Sequence, residues 1–182
     1  MSASIAFWRA EHASFAHLLD LFEKNLVAFH TGERPDYDLM LDILQYLRHF
    51  PDRYHHPRED VAFDCLVKRE PGLLALVDHL KDEHKSLAAS GEALEELLSE
   101  AAQGAIVARE QIESAAQDYL VDYRRHIASE ELTVMPRALA LLKDEDWALV
   151  ARAIPTVMDP LFGDQADEAY RELRRLIAIE AG

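Results

Sequence analysis

Cysteine is almost absent: Cys65 is the single one among 182 residues, so no disulfide can form within the chain and nothing points to an oxidising compartment. Long apolar runs are missing as well. No stretch approaches the ~18 uninterrupted apolar residues of a membrane-spanning helix. The first residues, Met1 to Ala6, carry neither the basic nor the long apolar part of a secretory leader, so the expected location is cytoplasmic. Positive charge is scarce: 19 Lys and Arg stand against 34 Asp and Glu, a formal charge of -15. With no Lys/Arg cluster to offset it, that excess repels nucleic-acid backbones and anionic membranes and leaves small, neutral or cationic partners. Alternation with period two is nowhere sustained, which argues against a sheet. No internal repeat or low-complexity tract stands out.

What the chain does have is an ordinary globular balance, 49% apolar and 29% charged residues, enough to bury one core. Helical periodicity dominates and predicts an all-α protein. A first helix runs from about Ser4 to about His30 on the apolar stripe Phe7, Phe15, Leu18, Leu19, Phe22 and Leu26, and stops at Gly32 and Pro35. A second begins near Asp36 and ends at Pro71-Gly72, with a kink or re-start expected between Pro51 and Pro57. A third spans about Leu73 to Ala102 and is closed by Gly104. A fourth spans about Ile106 to Leu142 with a bend at Pro136. Short turns between long helices predict an up-down-up-down four-helix bundle over residues 1–142. Residues 143–182 read as a helical extension, with one helix near Trp147 to Ile154 and another near Asp164 to Ile179. This extension packs on the bundle or offers a dimer surface.

Two segments share one spacing. His55 precedes Glu59 by four residues and His126 precedes Glu130 by four, which places imidazole and carboxylate on one helical face in each case. His12 and His84 supply an imidazole from each of the other two helices. Counted from the loops at one pole of the bundle, all four histidines lie about 20 residues away, so a rise of ~1.5 Å per residue puts them in one layer. Four histidines and two carboxylates in one layer make a binuclear site for a borderline transition metal, iron, zinc or manganese, with Glu59 and Glu130 as natural bridges. Without a metal those carboxylates would be costly to bury. Six protein ligands for two metals leave coordination positions open for a small molecule.

These residues resemble the hemerythrin family, specifically proteins with the HHE cation-binding domain. The stretch Tyr54-His55-His56-Pro57-Arg58-Glu59-Asp60 is similar to the family's second-helix signature, and His126-Ile127-Ala128-Ser129-Glu130-Glu131 to its fourth. His12, preceded by Glu11, and His84, preceded by Glu83, match the histidines of the first and third helices, so the resemblance covers about residues 5 to 142. It implies a hemerythrin-like bundle with a non-haem di-iron site, two Fe ions bridged by carboxylates and by an oxo or hydroxo group. Such a site meets dioxygen, nitric oxide or peroxide. Oxygen-carrying members have a second histidine on the third helix where this chain has Leu80. That departure favours sensing, iron handling or redox chemistry over simple reversible oxygen carriage. The expected role is binding dioxygen or a related small molecule for sensing, storage or stress defence, as a binding protein rather than an enzyme.

Two alternatives stand beside this reading. A zinc-bearing or single-metal bundle would act by docking a protein partner. A ferritin-like di-iron oxidase or peroxidase would need Glu-x-x-His pairs, but Arg9, Asp52, Lys81 and Tyr123 stand three residues before the four histidines. His56 points ~100° from His55 on a regular helix and is left out of the expected ligand set. His17, His30, His49 and His79 fall off the layer or its face. Tyr119 and Tyr123 share the face of His126 and are read as core. Cys65 is read as a small buried hydrophobe, and Glu92, Glu95, Glu96 and Glu100 as a solvated helix face.

Overall fold

The computed structural model describes residues 3–31, 33–163 and 168–180, and among these there is no strand. Helix α1 (Ala3–Leu26) is shorter than its apolar stripe predicts. Its ladder breaks at Val27, whose N–H is shared between the Glu23 and Lys24 carbonyls, and one separate turn, Ala28–Thr31, follows. Helix α2 (Tyr37–Phe50) opens on Asp36, whose carboxylate accepts the Leu39 N–H at 3.0 Å, a side-chain cap for an otherwise orphaned donor.

The kink expected between Pro51 and Pro57 is a π-helical turn, Pro51–His55, that runs directly into α3 (His56–Arg69). Proline has no N–H and its ring crowds the carbonyl four residues back. The chain accommodates Pro57 by widening the preceding turn, and the His56 N–H reaches the Pro51 carbonyl five residues back. The same device recurs on the fourth rod. Helix α5 (Arg109–Ser129) starts later than Ile106 and passes into a π-helical turn, Glu130–Val134, closed by the Met135 N–H on the Glu130 carbonyl, one residue before Pro136. Helix α6 (Met135–Leu141) continues the rod. The third rod, α4 (Leu74–Ala102), is followed by Gly104 at φ 87°, a left-handed residue that only glycine adopts cheaply.

These rods form a closed four-helix bundle. Helix α1 packs on α2 and α5, and α4 packs on the same two from the other side. The apolar core comes in two parts. One, near the pole of the α1–α2 and α4–α5 connections, includes Phe15, Leu19, Phe22, Leu44, Leu94 and Tyr119. The other includes Ile5, Trp8, Phe63, Leu80, Val134 and Met135. A layer of buried polar residues lies between them: Glu11 and His12 on the first rod, His55, His56, Arg58 and Glu59 on the second, His84 on the third, and His126 and Glu130 on the fourth.

Beyond the fourth rod, α7 (Asp144–Ala153) packs on α3, with Trp147 edge-on to Trp8 at 5.6 Å between ring centroids. Helix α8 (Arg171–Glu180) lies against α2 and buries Leu173. The predicted start of that last helix, over 164–167, lies outside the described residues.

One close approach decides how tightly the rods sit. Gly91 is buried, and a Cβ there would stand 3.2 Å from a Tyr119 ring carbon and 3.4 Å from the Arg48 stem. The Tyr119 ring is itself buried and has little room to yield. Gly91→Val is therefore expected to destabilise the chain by ~1–3 kcal/mol through overpacking, read as a lower denaturant midpoint at unchanged slope.

Candidate metal centre

The structure brings all six expected side chains, His12, His55, Glu59, His84, His126 and Glu130, into the buried layer and adds His56 to them. They fall into two groups in which one ligand atom from each member lies within 4.8 Å of the others: His12, His55, Glu59 and Glu130 in one, His56, His84 and His126 in the other. Both glutamates face both groups. Glu130 sets Oε2 3.4 Å from His12 Nε2 and Oε1 3.3 and 3.4 Å from His126 and His84 Nε2. Glu59 lies 3.6, 3.2 and 3.8 Å from the Nε2 atoms of His12, His55 and His84.

Neighbouring residues on a helix diverge by ~100°, so the sequence expectation leaves His56 out of the ligand set. The divergence is real, and it is what a two-centred site uses: His55 turns to the first group while His56 stacks on His84 at 4.3 Å between ring centroids. The sequence signal was the pair Leu80 and His56 taken together, an imidazole missing on the third rod and an unassigned one on the second. His49 and His79 are exposed, His17 is only partly buried, and the side chain of His30 lies outside the described residues. Tyr119 and Tyr123 are core residues, as is Cys65. The Tyr123 hydroxyl is buried without a hydrogen-bond partner among the described residues.

The outward nitrogen of each imidazole meets a carboxylate. Nδ1 lies 3.2 Å from Glu131 in His12, 2.8 Å from Glu11 in His55, 3.1 Å from Asp52 in His56, 3.0 Å from Asp60 in His84 and 3.1 Å from Glu83 in His126. A carboxylate that accepts the Nδ1–H fixes the tautomer and leaves the Nε2 lone pair turned inward. Glu11 is itself pinned by buried Arg58, whose guanidinium donates to it at 2.8 Å.

Charge in this layer is compensated locally. Burial opposes a proton on His12, but Glu131, Glu59 and Glu130 outweigh it and raise its pKa to about 10. Burial likewise opposes charge on His84, and Asp60, Glu130 and Glu59 raise it to about 10. Burial and then Glu59 work to raise Glu130, yet His126 and His84 hold it down at about 2. His56 is driven well below the ordinary imidazole value by burial and by its neighbours His84, His55 and His126.

The donor set fits a pair of cations. Both oxygens of Glu59, Oε2 of Glu130 and Nε2 of His126 are fully buried and make no well-formed hydrogen bond among the described residues. Such atoms are expensive to bury unless something electropositive satisfies them. His12 and His55 bring their Nε2 atoms to 2.9 Å, about the separation of two imidazole nitrogens bound side by side to one transition metal ~2.1 Å away. A cleft of about 570 Å³ between α1 and the fourth rod, lined by Arg9, Ala13, Ala16, Ile127, Glu131 and Leu132, reaches His12 from the surface.

An all-α bundle with two buried metal-capable groups of histidine and glutamate defines the class: a cation-binding helical bundle. Residues 3–138 match the Hemerythrin HHE cation binding domain, and the chain belongs to that family. Searches of curated proteins and of solved structures gave no match.

A metal must displace the protons that His12 and His84 hold below their raised pKa values. Burial opposes a proton on His55 too, but Glu59 and Glu11 raise its pKa. Uptake at pH 7 is thus expected to release at least about two protons per chain, and apparent affinity should climb as pH rises from 6 to 8. Calorimetry in buffers of different ionisation enthalpy measures the first, and competition with a chelator across pH measures the second.

Proposed function

We propose that the chain is a non-haem di-iron protein that binds dioxygen or a related small molecule, nitric oxide or peroxide, in sensing, storage or stress defence. The observation that supports it best is the sharing of Glu59 and Glu130 between two groups of inward-facing imidazoles. His12 and His55 would hold one iron, His56, His84 and His126 the other, and the two carboxylates would bridge them. Two irons so held would supply one electron each to a small oxidising ligand.

The chain's own residues then account for selectivity. Two imidazoles against three leave the His12/His55 half the less saturated, and the surface cleft beside His12 opens toward that half. Ala13 and Ala16 keep the cleft passable to a small molecule, while Phe15, edge-on to His55 at 5.0 Å, and the Leu80 side of the core exclude bulk water. Leu80 is fully buried in the place of the missing third-rod histidine, and His56 approaches the His84/His126 half from the second rod. The four rods would carry the centre as one domain, with the helices Asp144–Ala153 and Arg171–Glu180 of the extension packed beside it. No helix among the described residues is long and apolar enough to cross a membrane.

Loading with Fe(II) without oxygen is expected to give about two irons per chain, and air should then bring up near-ultraviolet oxo-to-iron absorption. His56→Ala should keep the fold and weaken the second iron by at least about tenfold, the order expected for a lost metal partner. One zinc per chain, or no iron bound after loading, would overturn this reading in favour of a single-metal or docking bundle.

A further inference from the structure

The di-iron reading uses only one side of each imidazole. The other side forms a circuit. Glu11 on the first rod serves His55 on the second, Asp60 on the second serves His84 on the third, Glu83 on the third serves His126 on the fourth, and Glu131 on the fourth returns to His12 on the first. Asp52 completes the set within the second rod by approaching His56 one turn away. Every imidazole of the centre thus has its own carboxylate, and none of these five is among the inward ligands.

Such a belt exceeds what orientation requires. A backbone carbonyl fixes an imidazole tautomer as well as a carboxylate does, without adding charge. Here the layer holds Glu59 and Glu130 at zero exposure and surrounds them with further carboxylates, while among the described residues Arg58 is the one cation other than imidazole buried in it. Arg125, 3.5 Å from Glu83, is largely exposed and screened by solvent. Negative charge at this density favours the more highly charged state of any metal within, and a carboxylate on Nδ1–H also makes Nε2 a stronger donor.

We propose that the charged belt of Glu11, Asp60, Glu83 and Glu131 sets the redox poise of the centre, holding the irons toward the ferric state so that the pair gives up electrons readily. This rests on the di-iron reading and adds the device that biases it. The equilibrium concerned is the loss of one electron from each ferrous ion to an external acceptor, and no bond to the belt residues forms or breaks.

The test is a spectroelectrochemical titration of the iron-loaded chain against mediator dyes. Asp60→Asn, Glu83→Gln and Glu131→Gln keep shape and hydrogen bonding but remove a charge from three different rods. Each is expected to move the ferric/ferrous equilibrium toward ferrous by at least about tenfold, an upward shift of about 59 mV for one electron. Asp60→Asn combined with Glu83→Gln should give about the product of the two effects. Glu83→Asp, which retains the charge, should stay close to the parent, and Asp118→Asn, on the exposed face of α5, should not move it. Iron content, measured on every variant, separates the outcomes. Three amide variants that keep about two irons yet shift by less than about twofold would overturn the belt's redox role alone. A parent chain that takes up no iron would overturn the di-iron reading and this inference with it.

Discussion

Two carboxylates with no solvent exposure, Glu59 and Glu130, set the terms for the rest of this molecule. Side by side in a low-dielectric interior they repel each other, and each loses its hydration. The chain answers with five imidazoles, some of them held protonated when no metal is bound, and with a second circle of carboxylates that in turn stabilises those imidazoles. Cations in the layer would take over the compensating role from protons. Metal binding and proton release are therefore two descriptions of one exchange.

The apolar parts of the chain are arranged around that constraint. On the first rod Trp8 and Phe15 flank His12, and on the second Phe50 and Phe63 flank the His55-to-Glu59 segment. On the third Leu80 and Leu87 flank His84, and on the fourth Tyr123 and Val134 flank His126 and Glu130. Each rod is apolar, polar and apolar again at the same height, so the core is a sandwich with a wet-chemistry layer inside dry walls. The layer costs stability and the two clusters on either side supply it.

Much of this was legible in the sequence because helices convert spacing into direction. The four-rod plan followed from long helical periods between Gly32, Gly72 and Gly104, and the His-to-Glu spacing of four identified the two rods that bear carboxylates. His56 was not legible by the same rule. The rule assumed a single target on the helix axis side, whereas two adjacent targets accept two adjacent residues. The π-helical turns were visible only as prolines that ought to disturb a helix. That Pro57 and Pro136 each force a widened turn at the height of the ligands is a property of the folded ladder. The belt was hidden for another reason. Glu11, Glu83 and Glu131 each adjoin a ligand in sequence, yet each partners a histidine on a different rod, and no local pattern encodes a contact between rods.

The direction of that circuit carries a further meaning. Four amphipathic rods with interchangeable leucines can be assembled around a common axis clockwise or anticlockwise, and greasy surfaces scarcely distinguish the two. A chain of contacts that always passes from one rod to the next in sequence, and closes from the last to the first, does distinguish them. In the mirror arrangement Glu11 would face away from His55 and every later handover would fail in the same way. The belt thereby acts as a lock on the handedness of the bundle.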